Sequence, residues 1–222
     1  MATYDIFPSK LVIQDRELTE KQIHDLTVAV QAIFMDNAIH GQHTVETRNG
    51  NFHSNAWAEP FAVWTPDNLR IFPVLQDVKD IFIDGFYELA QAHEFNNLTR
   101  EDVATLFADN YGQIPIMQTG GSLPTHTHPG AVASAVFYLT DVDNGADGGM
   151  LSLRDPSFNT TAGFRNDMEM FIETKAGRLV VFPTHIWHDV TPYHGKEDRM
   201  SIVANLSFFS EAATRMLTVK GD

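Results

Sequence analysis

The apolar positions of this chain change period near residue 110. Upstream they recur every three or four residues; downstream they alternate or run on in short stretches between turn formers. Ile23, Leu26, Val30, Ile33 and Phe34 follow Thr19-Glu20-Lys21-Gln22, a capping-box sequence with Thr19 at the N-cap and Gln22 at N3. They predict a helix to about Met35. Leu75, Val78, Phe82, Phe86 and Leu89 trace a second helical stripe from Pro73, with Gly85 as a weak point in its middle. Thr99-Arg100-Glu101-Asp102 opens either a short helix or the lead into a strand. At the start, residues 6–14 (IFPSKLVIQ) read as a short strand whose Pro8 suits an edge or a first pairing strand. Residues 37–60 read as a polar loop carrying His40, His43 and His53, with Trp57 and Trp64 sealing one face of the core.

Downstream, the runs QIPIMQT, AVASAVFYLT, GGMLSLRD, EMFIETK, GRLVVFPT, HDVTPY and RMSIVANLSFF read as seven short strands. The segments between them are turn chemistry, and DVDNGADGG among them reads as a hairpin turn rather than a calcium loop, since it lacks the required ligand order and terminal Glu. Seven strands without intervening helical pattern predict an antiparallel sandwich or jelly roll. The expected class is α+β, mainly β, with N-terminal helices packed on one sheet. The expected organisation is one domain over 1–222: a helical layer with an initial strand over 1–108, a β core over 109–210 and a tail over 211–222.

Composition narrows the partners. The 222 residues carry a formal charge of −14, which argues against a broad phosphate-binding surface and against anionic membranes. No apolar run approaches the roughly 20 residues of a membrane span, and MATYDIFPSK lacks the layout of a signal peptide. There is no cysteine, so thiol nucleophiles and Cys-based metal sites are excluded. A cytoplasmic setting is expected. A homo-oligomer is neither indicated nor excluded.

The chemistry gathers at the two ends of one stretch. PTHTHPG places His126 and His128 two apart, and on a strand such residues share a face. His188 lies far downstream in the last strand-rich segment, where barrel closure can bring it to the same point. Three such ligands leave open positions for oxygen and a co-substrate. Arg199 can hold a remote carboxylate through paired hydrogen bonds, and Ser201 shares its face. A single strand histidine is usually a packing residue, so the weight rests on the set. His185 reads as a substrate-side or structural residue near the site, His194 as solvated, and Arg154 as facing the site mouth. Tyr138 suits the core as well as it suits the site.

At these residues the chain resembles the 2-oxoglutarate- and iron-dependent oxygenases of the prolyl-hydroxylase-like branch. FYLTDVDNGADGGMLSLRDP is similar to that branch's tyrosine-leucine strand, acidic turn, Gly-Gly and apolar strand. GRLVVFPTHIWHDVTPYHGKEDRMSIVANL resembles its final block, with Phe-Pro, the distal His and Arg-x-Ser. Closer still is a bacterial and phage family of such oxygenases with His-x-His-Pro in place of His-x-Asp. The resemblance covers roughly residues 105–210. It implies a double-stranded β-helix core, Fe(II), 2-oxoglutarate as co-substrate and O2. It also implies iron ligands His126, His128 and His188, and a 2-oxoglutarate site of Arg199 helped by Ser201 and Tyr138. At His128 the wider superfamily has a carboxylate. The implied reaction is hydroxylation of a small-molecule or peptide substrate, coupled to decarboxylation of 2-oxoglutarate to succinate. Two other readings stand beside it: a three-histidine cupin-like dioxygenase or isomerase that does not use 2-oxoglutarate, and a non-enzymatic jelly roll with a structural metal. The loops 37–60 and 156–167 are the expected lids.

Overall fold

A computed structural model describes residues 2–6, 9–39, 46–48, 52–54, 63–95, 97–108, 110, 112–154 and 169–207. The initial strand is two. β1 (Ala2–Ile6) and β2 (Ser9–Asp15) pair antiparallel, separated by the Phe7-Pro8 step. Of the two readings of a strand over 6–14, the edge is corrected: β2 pairs on both sides, with β1 and with β10. α1 (Glu20–Ile39) starts at the capping box, with Thr19 N–H on Gln22 Oε1 at 3.0 Å and Gln22 N–H on Thr19 Oγ1 at 3.2 Å. It runs four residues past Met35, into the expected loop.

That loop also holds a hairpin. β3 (Glu46–Arg48) and β4 (Phe52–Ser54) pair with each other, and β4 pairs with β5 (Pro115–Met117). Periodicity cannot reveal three-residue strands, since their stability comes from the sheet edge they join. Trp57, His40 and His43 lie outside the described residues, as do residues 156–167. α2 (Pro66–Ile71) is capped by Thr65, and α3 (Val74–Ala92) follows from Pro73. The undecided Thr99 segment is α4 (Arg100–Phe107), with a capping box in which Asp102 returns the bond to Thr99 N–H at 2.9 Å.

The core strands are β5, β6 (Leu123–His126), β7 (Ala133–Tyr138), β8 (Leu151–Arg154), β9 (Glu169–Ile172), β10 (Arg178–Pro183), β11 (Trp187–Val190) and β12 (Arg199–Leu206). They fold as two sheets. The larger runs β1-β2-β10-β7-β12-β5-β4-β3 and the smaller β6-β11-β8-β9. From β5 to β12 the chain changes sheet at every step except β8 to β9, which is a double-stranded β-helix. The expected hairpin turn at DVDNGADGG is corrected on this ground. It joins β7 in one sheet to β8 in the other, through the short helical turn α5 (Asn144–Asp147) capped by the Asp143 side chain.

Both faces of the large sheet are covered, which explains its near-continuous apolar runs. On β12, Met200, Ile202, Ala204 and Leu206 join the core under the helices, while Arg199, Ser201 and Val203 face the interior between the sheets. β10 divides likewise, Leu179 and Val181 to the helices, Val180 and Phe182 inward. α3 is the main helical cover. Its Phe82 and Phe86 pack with Phe107 and Trp64, Trp64 meeting Phe82 edge-on at 5.7 Å between centroids. Gly85 is not a weak point but a requirement of contact. A Cβ there would lie 2.4 Å from Leu179 Cδ2 and 2.9 Å from Val181 Cγ2, both fully buried on β10. Among the described residues no helix is long and apolar enough to cross a membrane.

Gly85→Ala is therefore expected to lower stability by about 1–3 kcal/mol through overpacking, although alanine alone would favour the helix by roughly 1 kcal/mol. Chemical denaturation with an unchanged or raised midpoint would contradict the close approach of α3 to β10.

Candidate active site

β6 is the strand that the apolar pattern does not show, and it carries the first histidine. Its four residues, LPTH, have no apolar alternation, and it is held by pairing with β11. In that ladder His188 lies directly opposite His126. His128 follows two residues beyond the strand end, and its Nε2 lies 3.1 Å from His188 Nε2. Ring centroids are 4.2 Å apart for His126 and His188, and 5.0 Å for each pair involving His128. One nitrogen from each ring lies within 4.8 Å of the others. Two imidazole nitrogens each about 2 Å from one ion sit at comparable separation.

Two of the rings are oriented in the same way. His126 Nδ1 lies 2.8 Å from the carbonyl of Pro124, and His188 Nδ1 lies 3.0 Å from the carbonyl of Ile186. Each carbonyl accepts only from an Nδ1–H, which puts the lone pair of that ring on Nε2, the atom that in His188 lies 3.1 Å from His128 Nε2. Burial sets the charge. His188 is 4% exposed and packs edge-on against Phe182 at 4.9 Å. Desolvation, with His126 adding repulsion, lowers its pKa to about 3, and the same two causes lower His128 to about 4. Both are neutral near pH 7, as ligation requires.

The cluster opens into a cavity of about 520 Å³ between the sheets, which Tyr138, Arg199 and Ser201 also line. Arg199 is 2% exposed, and burial draws its pKa below the ordinary value. Both its hydrogen bonds leave from Nε, to the Gly149 carbonyl at 2.8 Å and Thr174 Oγ1 at 3.1 Å. Among the described residues it forms no salt bridge. Its guanidinium carbon sits 5.1 Å from the centre of the Tyr138 ring. Ser201 and Tyr138 face each other across the β12–β7 ladder, and the buried Tyr138 hydroxyl makes no hydrogen bond of good geometry. Burial holds that hydroxyl's pKa above its usual value. A buried cation that forms no ion pair among the described residues, beside a buried hydroxyl in the same cavity, suits an anionic ligand.

Three supports escaped sequence reasoning. Thr174 bonds the Gly149 carbonyl at 3.0 Å and accepts from Arg199. Its signal was present: a polar residue at the inward register of the EMFIETK run. Gly149 has φ +70°, and a Cβ there would lie 3.1 Å from Arg199 Cδ and 3.0 Å from Tyr193. Tyr193, 3% exposed, packs on the same side of the guanidinium.

One expectation is corrected in part and one in full: of the two readings of His185, substrate-side and structural, its place near the site is overturned. His185 is exposed and lies apart from the cluster. It hydrogen-bonds Ser9 Oγ at 2.9 Å and lines a separate cavity near the end of α3, with His93 and Leu89. Arg154 does not face the mouth. Strand alternation turns it to the opposite face of the small sheet, where it pairs with Asp189 at 2.9 Å and Glu169 at 3.1 Å. Asp189 shares that outer face, so the carboxylate next to His188 is not a ligand of the cluster. His194 is exposed, as expected.

The two sheets thus bring three imidazoles that could hold a metal ion and a buried arginine into one cavity. Residues 114–205, which contain all these side chains, match the family described as "Putative 2OG-Fe(II) oxygenase". Over that segment the chain is similar to the 2OG-Fe(II) oxygenases, a likeness that covers fewer than half of its residues. The fold is similar to that of a Pseudomonas putida prolyl-4-hydroxylase, at 18% identity over 89% of this chain and 92% of that one, with a TM-score of 0.57. It is also similar to a prolyl hydroxylase from Trichoplax adhaerens in complex with a hypoxia inducible factor peptide fragment (13% identity, 92% and 86% covered, TM-score 0.59). A third likeness is to the epimerase SnoN in complex with Fe3+ and alpha ketoglutarate (10% identity, 88% and 77% covered, TM-score 0.54). No curated protein matches the chain in sequence.

Two outcomes are expected. The folded protein takes up protons on His128 and His188 only near pH 4 and 3, whereas the unfolded chain does so near 6.5. The stability of metal-free protein is thus complete above pH 6.5 and falls as pH drops from there toward 4. Melting curves of His128→Gln and His188→Gln should show a shallower fall than the parent; equal slopes would refute the burial argument. Gly149→Ala should displace the Arg199 side chain and weaken 2-oxoglutarate binding by about tenfold or more, an effect of roughly 1.4 kcal/mol, measurable by calorimetric titration.

Proposed function

We propose that His126, His128 and His188 hold the iron of this oxygenase, and that Arg199, with Ser201 and Tyr138, binds the far carboxylate of 2-oxoglutarate. The observation that carries the reading is the buried Arg199 guanidinium, without an ion pair among the described residues, in the cavity that the three imidazoles share. When bound, Fe(II) with 2-oxoglutarate and O2 supplies the oxidising power to hydroxylate a C–H bond, yielding succinate and CO2. The chain's own residues do the rest. The Pro124 and Ile186 carbonyls keep two imidazoles in the ligating tautomer. Gly149 and Thr174 hold Nε of Arg199, which leaves the other guanidinium nitrogens for the carboxylate. The apolar cavity wall of Val136, Leu151 and Val190 keeps water from the reacting centre.

The donor set is three neutral imidazoles, where the wider superfamily carries a carboxylate. The metal centre therefore keeps one more unit of positive charge. That feature favours a second reading, a three-histidine dioxygenase independent of 2-oxoglutarate, and Arg199 separates the two. A peptide is the proposed substrate class, by likeness to the prolyl hydroxylases, and a small molecule is the alternative. The cysteine-free, acidic chain suits a reducing cytoplasm and speaks against nucleic acid as a partner. We further read the chain as one domain, with residues 1–108 supplying helices and edge strands to the core.

With Fe(II) and ascorbate, purified protein should convert 2-oxoglutarate to succinate, slowly even without substrate. Arg199→Ala should raise the KM for 2-oxoglutarate by about 30-fold or more, the equivalent of about 2 kcal/mol for truncating one partner of a buried charge pair. An unchanged KM would favour the second reading.

A further inference from the structure

β6 and β11 do not pair evenly. His188 is opposite His126, yet two residues on, Val190 is opposite Leu123, three residues away on β6. One extra residue is accommodated in β6, so Pro124 and Thr125 together face Asp189. Proline has no N–H to give a ladder, which suits it to this bulge. The bulge removes regular backbone bonding where the two strands must hold His126 and His188 side by side.

Side chains on the outer face of the small sheet bridge the gap. Thr125 Oγ1 donates to Asp189 Oδ2 at 2.7 Å, and Arg154 Nη2 on β8 meets the same oxygen at 2.9 Å. Asp189 is 7% exposed. Thr125 immediately precedes His126, and Asp189 immediately follows His188. Three strands, β6, β11 and β8, are thus tied at one carboxylate oxygen on the reverse side of the two imidazoles. Alternation makes this geometry: whatever fixes the outward residue of each strand fixes the inward residue beside it.

We propose that Thr125 and Asp189, anchored by Arg154, are positioning residues that set the spacing of His126 and His188 across the bulge. The proposal rests on the reading of those histidines as metal ligands. Neither residue touches the cavity, so both act through the backbone of the strands that carry the ligands.

Co(II) binding tests it without turnover. Absorption titration of metal-free protein reads both affinity and the ligand-field spectrum. Thr125→Val removes the hydroxyl at nearly constant volume and should weaken Co(II) binding about tenfold or more, the usual range for groups that orient metal ligands. Its spectrum should change, while the melting temperature of the metal-free protein stays close to the parent's. Thr125→Ser should restore both affinity and spectrum. Asp189→Asn should lie between, since it keeps an acceptor for Thr125 but loses the ion pair. Unchanged affinity and spectrum in Thr125→Val would overturn the proposal. So would a serine variant as weak as the valine one, or affinity losses matched by collapse of metal-free melting in both Thr125→Val and Asp189→Asn. His126→Ala is the separate control. If it binds Co(II) like the parent, the ligand assignment itself fails, whatever the threonine variants do.

Discussion

The antiparallel pairing of β6 with β11 is the constraint on which the site depends. It brings two histidines 62 positions apart in sequence into direct register, His126 opposite His188. β6 contributes little apolar burial of its own, so its place is set by that ladder and by the side-chain bridge behind it. The bulge at Pro124 serves the site as well as disturbing the sheet. A carbonyl released from regular pairing is the one that holds Nδ1 of His126.

The arginine end of the cavity follows a different logic. An arginine buried to this degree is costly unless something compensates it. Here Nε bonds Gly149 and Thr174, no ion pair forms among the described residues, and the Tyr138 ring lies beside the guanidinium. Gly149 permits that crowding because any side chain would strike Arg199 or Tyr193. A polypeptide that spends so much structure on holding one cation in place is organised for an anionic ligand.

The two halves are joined through β12 and β7. Each carries alternate residues to the helix-covered core and to the cavity. The helices therefore act on the site indirectly, by fixing the large sheet. The glycine in α3 shows how closely: helix and sheet meet where there is no side chain between them.

Much of this was written in periodicity and spacing. The capping boxes placed α1 and fitted α4, the 3.6-residue stripe placed α3, and seven runs between turn formers gave seven of the eight core strands. His-x-His, a distant third histidine and Arg-x-Ser picked out side chains that share one cavity, because strand alternation is a local rule. What the chain could not show locally was anything whose stability lies in its partner. β3, β4 and β6 are too short or too polar to carry a pattern, and exist because an edge receives them. Which face of a strand looks onto the cavity is likewise decided by register and closure, which is why Arg154 was set at the mouth and His185 too near the site. Thr174, Gly149 and the Thr125–Asp189 bridge belong to the same class. Sequence determines which residues share a face; only the closure of two sheets decides what that face looks onto.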